Sequence, residues 1–150
     1  GGMDLFRHLI TTARLNADRR GIVQAYAVLT GESVTDGHPA SSWVAHRFSV
    51  LRGEISQAVL ELATERDVRL PDGEAERAAG SVIALMDGLQ LQWLLDPDAV
   101  DLAESTRFAI ESILTATLGS TVEITDPGAT TPTLAAASPA RWAAPPSSAG

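Results

Sequence analysis

Hydrophobic positions recur at three- and four-residue steps in five successive stretches, and each stretch predicts an amphipathic helix. The first runs from Met3 to Asn16, with Leu5, Phe6, Leu9, Ile10 and Ala13 on one face, before Asn16, Ala17 and Asp18 break the pattern. The second is predicted from Asp18, as N-cap, to Thr30, with Ile22, Tyr26 and Leu29 along a stripe and Gly31 as its stop. After the loop GESVTDGH, Pro39 suits the first turn of a third helix from His38 to Arg66, whose stripe is Val44, Phe48, Leu51, Ile55, Ala58 and Leu62. At roughly 30 residues this helix is long for a globular protein and reads as a spine; Gly53 inside it marks either a bend or a close contact. The turn Leu70–Gly73, with Asp72 as N-cap, leads into a fourth helix over Glu74–Leu95. Asp96 as cap and Pro97 in the first position open a fifth, which ends at Gly119. The expected fold is all-α, five helices in an antiparallel bundle.

The last two helices carry more apolar surface than one stripe. The fourth has Val82, Leu85, Met86, Leu89 and Trp93 on one side and Ala84, Leu91 and Leu95 on the other. One neighbour cannot cover both. On the fifth, Val100, Leu102, Ala103, Ala109, Ile110, Ile113 and Leu114 fill about half the circumference, with Phe108 outside that arc. A five-helix domain has few helices left to cover these second faces, so a symmetric homodimer is expected, with Leu89, Trp93, Val100, Ala103, Ile110, Ile113 and Leu114 at its interface. The plainer alternative puts both helices at the centre of a monomer.

Composition narrows the classes. The chain has 150 residues, 45% of them hydrophobic, enough for one soluble domain with a real core. No apolar run reads as a membrane span, and Gly1 and Gly2 read as a scar ahead of Met3, followed by DLFRHLITTARL instead of a signal peptide. A cytoplasmic location is expected. With no cysteine, the sequence offers neither disulfide nor thiolate metal site nor cysteine nucleophile. The net charge is -8, and the eleven bases, all arginine, are scattered, so this polypeptide is not expected to bind nucleic acid by itself. Beyond Gly119, Pro127, Pro132, Pro139, Pro145 and Pro146 fall among Ala, Ser, Thr and Gly, so residues 120–150 read as a flexible Pro/Ala/Ser-rich tail after a domain over 1–119. Within that stretch Thr121–Thr125 alternates like a strand but has no partner strand, and reads as extended coil.

Enzyme chemistry finds no foothold. There is no HExxH pair, glycine-rich phosphate loop or nucleophile elbow. His8, His38 and His46 do not fall one helical turn apart, and Glu54, Glu61 and Glu65 follow a solvated face, so no metal or other cofactor is expected.

The phrase IALMDGLQLQWLLDPDAVD, preceded by RGIVQAYAVLTGES and the loop DGHPA, resembles the C-terminal ligand-binding and dimerisation domain of TetR-family transcriptional regulators, over about Leu5 to Leu118. In that family an N-terminal helix-turn-helix domain and a connecting helix come before this region, so the resemblance implies that DNA is met only through that preceding part. It implies a homodimer and a small, lipophilic effector, bound in a mostly apolar cavity with a few orienting polar groups. Effector binding would shift the spacing of two recognition helices, with the third helix carrying the displacement. Tyr26, Trp43, His46, Phe48, Met86 and Gln90 are the candidate effector contacts, being large or polar groups on the helices expected to surround the cavity. Packing in the core is the alternative for Tyr26, Phe48 and Met86, and the partner subunit for Gln90. A helical homodimer that binds protein alone is the competing function.

Overall fold

The computed structural model describes residues 1–125 and contains five α-helices: α1 Gly2–Asn16, α2 Arg20–Glu32, α3 Ser41–Glu65, α4 Glu74–Leu95 and α5 Leu102–Leu118. No strand occurs among the described residues. The expected tail from 126 to 150 lies outside them.

The helix ends differ from the expected caps, and the reasons are local. Asp18 does not cap α2; Arg19 holds that position without a side-chain bond. Gly31 lies inside α2, which ends at Glu32, where Ser33 Oγ donates to the Thr30 carbonyl at 2.7 Å. Pro39 precedes α3 instead of starting it, because His38 closes a turn there, its Nδ1 accepting from the Ala40 N–H at 3.1 Å. At α4 the N-cap is Gly73, not Asp72, with φ at 81°, a left-handed backbone that favours glycine. Asp96 and Pro97 do not open α5. Asp96 Oδ1 accepts from the Asp98 N–H at 3.2 Å, making a turn of its own, and Asp101 is the cap, its Oδ1 accepting from the Glu104 N–H at 3.1 Å. The later start suits packing, since it sets Leu102 into the small cluster of Ala13, Val23 and Trp93. Gly119 ends α5 as expected, with φ at 73°.

The main core lies where α1, α3, α4 and α5 meet, with Phe6, Ile55, Val59, Val82, Ile110 and Leu114 fully enclosed. A glycine is required at the start of α1. A Cβ on Gly2 would lie 2.3 Å from the Ala58 carbonyl oxygen, so only glycine lets α1 begin against the α3 backbone. Gly2 is thus a buried packing residue. Gly53 is the reverse case: a Cβ there would meet nothing within 4 Å, which removes the close-contact explanation.

The ordered core continues past Gly119. Val122 and Ile124 are buried in the main core, while Thr121, Glu123 and Thr125 face out, as a two-residue alternation requires. Their backbone finds side chains instead of a neighbouring strand: the Val122 N–H donates to Thr115 Oγ1 at 2.9 Å and the Ile124 N–H to Glu111 Oε1 at 3.1 Å. Arg66 Nη1 donates to the Thr121 carbonyl at 3.2 Å. The extended segment is therefore a strap across α5, and the packed domain reaches at least Ile124, not 119.

Truncating Ile124→Ala should cost about 2–4 kcal/mol, the usual range for emptying a buried aliphatic site. Urea unfolding of variant and parent measures this, and a loss within about 0.5 kcal/mol would mean that the strap contributes nothing.

Candidate functional site: a charged centre and an uncovered face

Helix α2 packs on α4 and α1, and its closest approaches to α3 are sparse. The gap at the wide end is an open cleft of about 490 Å³, lined by Thr30, Ser33 and the following loop on one side and by Ser41, Val44, Ala45 and Phe48 on the other. Ser41 Oγ donates to the Ser33 carbonyl at 2.5 Å and ties the floor together.

Between the same helices, Tyr26 of α2, Arg47 of α3 and Asp87 of α4 act on one another. Arg47 of α3 lies over the Tyr26 ring, with its guanidinium carbon 5.0 Å from the centroid, and over Trp43 at 5.7 Å. Asp87 projects from α4, and its Oδ1 is out of contact with solvent and has no hydrogen-bond partner among the described residues. Burial pushes the Asp87 carboxyl up to about 6, and the attraction of Arg47 offsets this only in part. Burial likewise raises the Tyr26 phenol, helped by the charge of Asp87, while Arg47 and Thr30 pull it the other way. Thr30 therefore links the open cleft to the charged centre.

The six candidate contacts do not fall together. Tyr26 and Trp43 flank Arg47, and Phe48 lines the cleft. Gln90 is buried on α4 one turn after Asp87. Met86 is enclosed in the main core, and His46 is exposed on α3, so neither borders this space. The residues missed are Arg47 and Asp87. Their signal was present: an arginine between Val44, Phe48 and Leu51, and an acid inside the apolar run SVIALMDGLQLQW.

The second feature is the outer face of α4 and α5. Ile110 and Leu114 are 1% and 0% exposed and Trp93 is also buried, so these three are sealed inside the subunit and cannot meet a partner. Ile113 packs on the main core, Leu89 and Val100 pack on the Trp93 cluster, and Ala103 is half-buried. The apolar arc of α5 faces inward; the residue excluded from it, Phe108, is 73% exposed. On α4 the exposed apolar positions are Ala84, Leu85, Leu91 and Leu95; of these Ala84, Leu91 and Leu95, with half-buried Gly88, repeat at four, three and four residues opposite Val82, Met86, Gln90 and Trp93. Helical spacing locates an apolar face without saying which way it turns. This helix, 22 residues long, is also apolar enough by length and composition to cross a membrane, with 39% of its most apolar window buried. Here it lies along α3 and α5 as a central element of the bundle and carries Asp87 and Gln90 inward.

An all-helical bundle with a charged interior centre and one uncovered apolar face has the features of a sensing and assembly domain. Residues 7–119 match the family described as BetI-type transcriptional repressor, C-terminal, and the chain belongs to that family. It is a family of regulatory domains, not of enzymes, and TetR-type regulators act as dimers that bind DNA and effectors. No curated protein and no solved structure matches the chain.

The raised Asp87 carboxyl fixes the sign of a pH effect. Its folded value, about 6, exceeds its unfolded value, 3.8, so between them the native state binds the extra proton and stability falls as pH rises. Stability should therefore increase by about 1–3 kcal/mol from this group as pH drops from neutrality through that window. Denaturant unfolding at both ends of the window should give a steeper pH dependence for the parent than for Asp87→Asn; parallel profiles would contradict the assignment.

Proposed function

We propose that this domain holds two subunits of a transcriptional regulator together through α4 and α5, and senses a small effector in the space between α2, α3 and α4. The observation that carries this reading is the two-sidedness of α4. Its inner face joins the core, while Ala84, Leu91 and Leu95, with half-buried Gly88 between them, form a second apolar face exposed among the described residues. Leu95 is 87% exposed and Phe108 of the adjoining helix 73%. A neighbouring copy related by a twofold axis would bury both faces at once, because a twofold interface pairs the same patch with itself. Small residues at Ala84 and Gly88 would let the two copies of α4 approach closely. Support for the effector site is the open cleft at Thr30, next to the polar group of Tyr26, Arg47 and Asp87, in a domain of a regulator family.

The preference for a sensing role over a purely protein-binding role rests on that centre. Taking Arg47 and Asp87 partly out of water costs desolvation free energy, which a bundle built only for assembly would avoid with apolar residues of similar volume. Binding of an effector to the folded domain alone would raise its melting temperature, by an amount set by the ratio of ligand concentration to Kd. DNA contact would lie outside these helices.

Light scattering should give twice the 15.7 kDa of the chain, and either Leu91→Glu or Phe108→Glu should reduce the mass to one chain while helical content is retained. An unchanged dimer in both variants would place the interface elsewhere. A thermal-shift screen with small lipophilic compounds addresses the other half: stabilisation by any compound that is lost in Arg47→Met supports the site, and a dimer that no compound stabilises supports the protein-only role.

A further inference from the structure

The strap that follows α5 heads toward Phe108, the largest exposed apolar side chain among the described residues. Its hydrogen bonds give its direction: the Val122 N–H is bound at Thr115 and the Ile124 N–H at Glu111, so the chain runs back along α5 toward the start of that helix. Glu104, Phe108, Glu111 and Thr115 fall at steps of four, three and four, which sets them along one face of α5. The strap therefore follows the face that carries Phe108. It passes from Thr115 to Glu111, about 6 Å of helix, in two residues, and Phe108 lies only about 4.5 Å further on. At about 3.3 Å for each extended residue, the chain that follows Thr125 comes level with Phe108 at once.

The composition of that chain suits the contact. Residues 126–150 include Pro127, Pro132, Pro139, Pro145 and Pro146, which have no N–H and cannot extend the series of bonds that α5 accepts from Val122 and Ile124. Contact past Pro127 would therefore be mainly apolar, and proline-rich segments dock on aromatic side chains with little loss of conformational entropy. One acid, Asp126, and one base, Arg141, leave this segment without net charge, whereas a second copy of the chain brings another -8 to the same surface.

We propose that residues 126–150 lie over Phe108 and compete there with the second copy, so that the C-terminal segment sets the concentration at which two subunits pair. The competition presumes the dimer through α4 and α5 proposed above. One ring cannot be covered twice, and a segment tethered a residue or two away is present at an effective concentration in the millimolar range. Pairing has to displace it.

Sedimentation equilibrium of the full chain and of a chain ending at Thr125, which keeps the core through Ile124, reads the competition. Removing the segment should lower the dimer Kd by about tenfold or more, as expected for the loss of a tethered competitor. The contact itself is read in the full chain with p-benzoylphenylalanine in place of Phe108: after irradiation, the crosslinks in the monomer band, mapped by mass spectrometry, should join position 108 to residues 126–150. A dimer that is unchanged or weaker on truncation would overturn the proposal and leave the dimer standing, and so would crosslinks that avoid residues 126–150. A mass of one chain for both forms, even at millimolar concentration, would instead remove the dimer face and the competition with it. The crosslink uses the intact chain, so it tests the contact even if the shortened chain does not fold.

Discussion

Helix α4 is the constraint on which the rest of this domain depends. One side of it completes the main core with α3 and α5, through Ala79, Val82 and Met86. Its last turns close a second cluster around Trp93, where Arg20 lies over the indole ring at 5.9 Å and donates to the Leu94 carbonyl at 2.8 Å. Between these two clusters Asp87 enters the interior, and on the opposite side Ala84, Leu91 and Leu95 are left exposed around half-buried Gly88. Core, polar centre and proposed interface are thus carried by one rigid rod of backbone. Any rotation of α4 about its axis would move all three together, which gives the proposed effector site a direct mechanical relation to the proposed dimer.

The charged centre differs in kind from the apolar packing around it. Opposite charges taken partly out of water are weak as a stabilising device, because desolvation offsets much of the Coulombic gain. The partial failure of Arg47 to hold the Asp87 carboxyl down is a direct sign of that balance. Groups held at such a cost concentrate at sites of function, and Thr30, which acts on the Tyr26 phenol, also lines the open cleft. The strap through Val122 and Ile124 has the opposite character: its side chains join the apolar core and its backbone is held by Thr115 and Glu111 of α5.

The five helices were legible because each has a long run of three- and four-residue spacing, and so was the end at Gly119, where only a left-handed residue fits. The caps were less so. Two aspartates, Asp96 and Asp101, both suit an N-cap, and the choice between them is made by where Leu102 must go. The strap was visible as alternation, but its burial depended on Thr115 and Glu111 supplying acceptors from a helix, a tertiary fact. Tyr26 and Trp43 were found as candidates, whereas Arg47 and Asp87 were passed over. An ionisable residue on a helix is most often solvated, and only the approach of α2, α3 and α4 makes these two otherwise. The orientation of α5 was misjudged for a related reason: two apolar faces look alike until the neighbours are placed.

The most direct test of the account uses the absence of cysteine from the chain. Single cysteines at Ala84, Gly88 and Leu91, with Ser49→Cys on the exposed side of α3 as control, can be oxidised mildly and resolved on a non-reducing gel. Across a twofold axis the same residue of each copy is brought near its mate, so at least one of the three positions on α4 should form an interchain disulfide in high yield, and Ser49→Cys should not. Monomer at all three positions, or crosslinking no better than at Ser49→Cys, would contradict the claim that the outer face of α4 is where two copies meet.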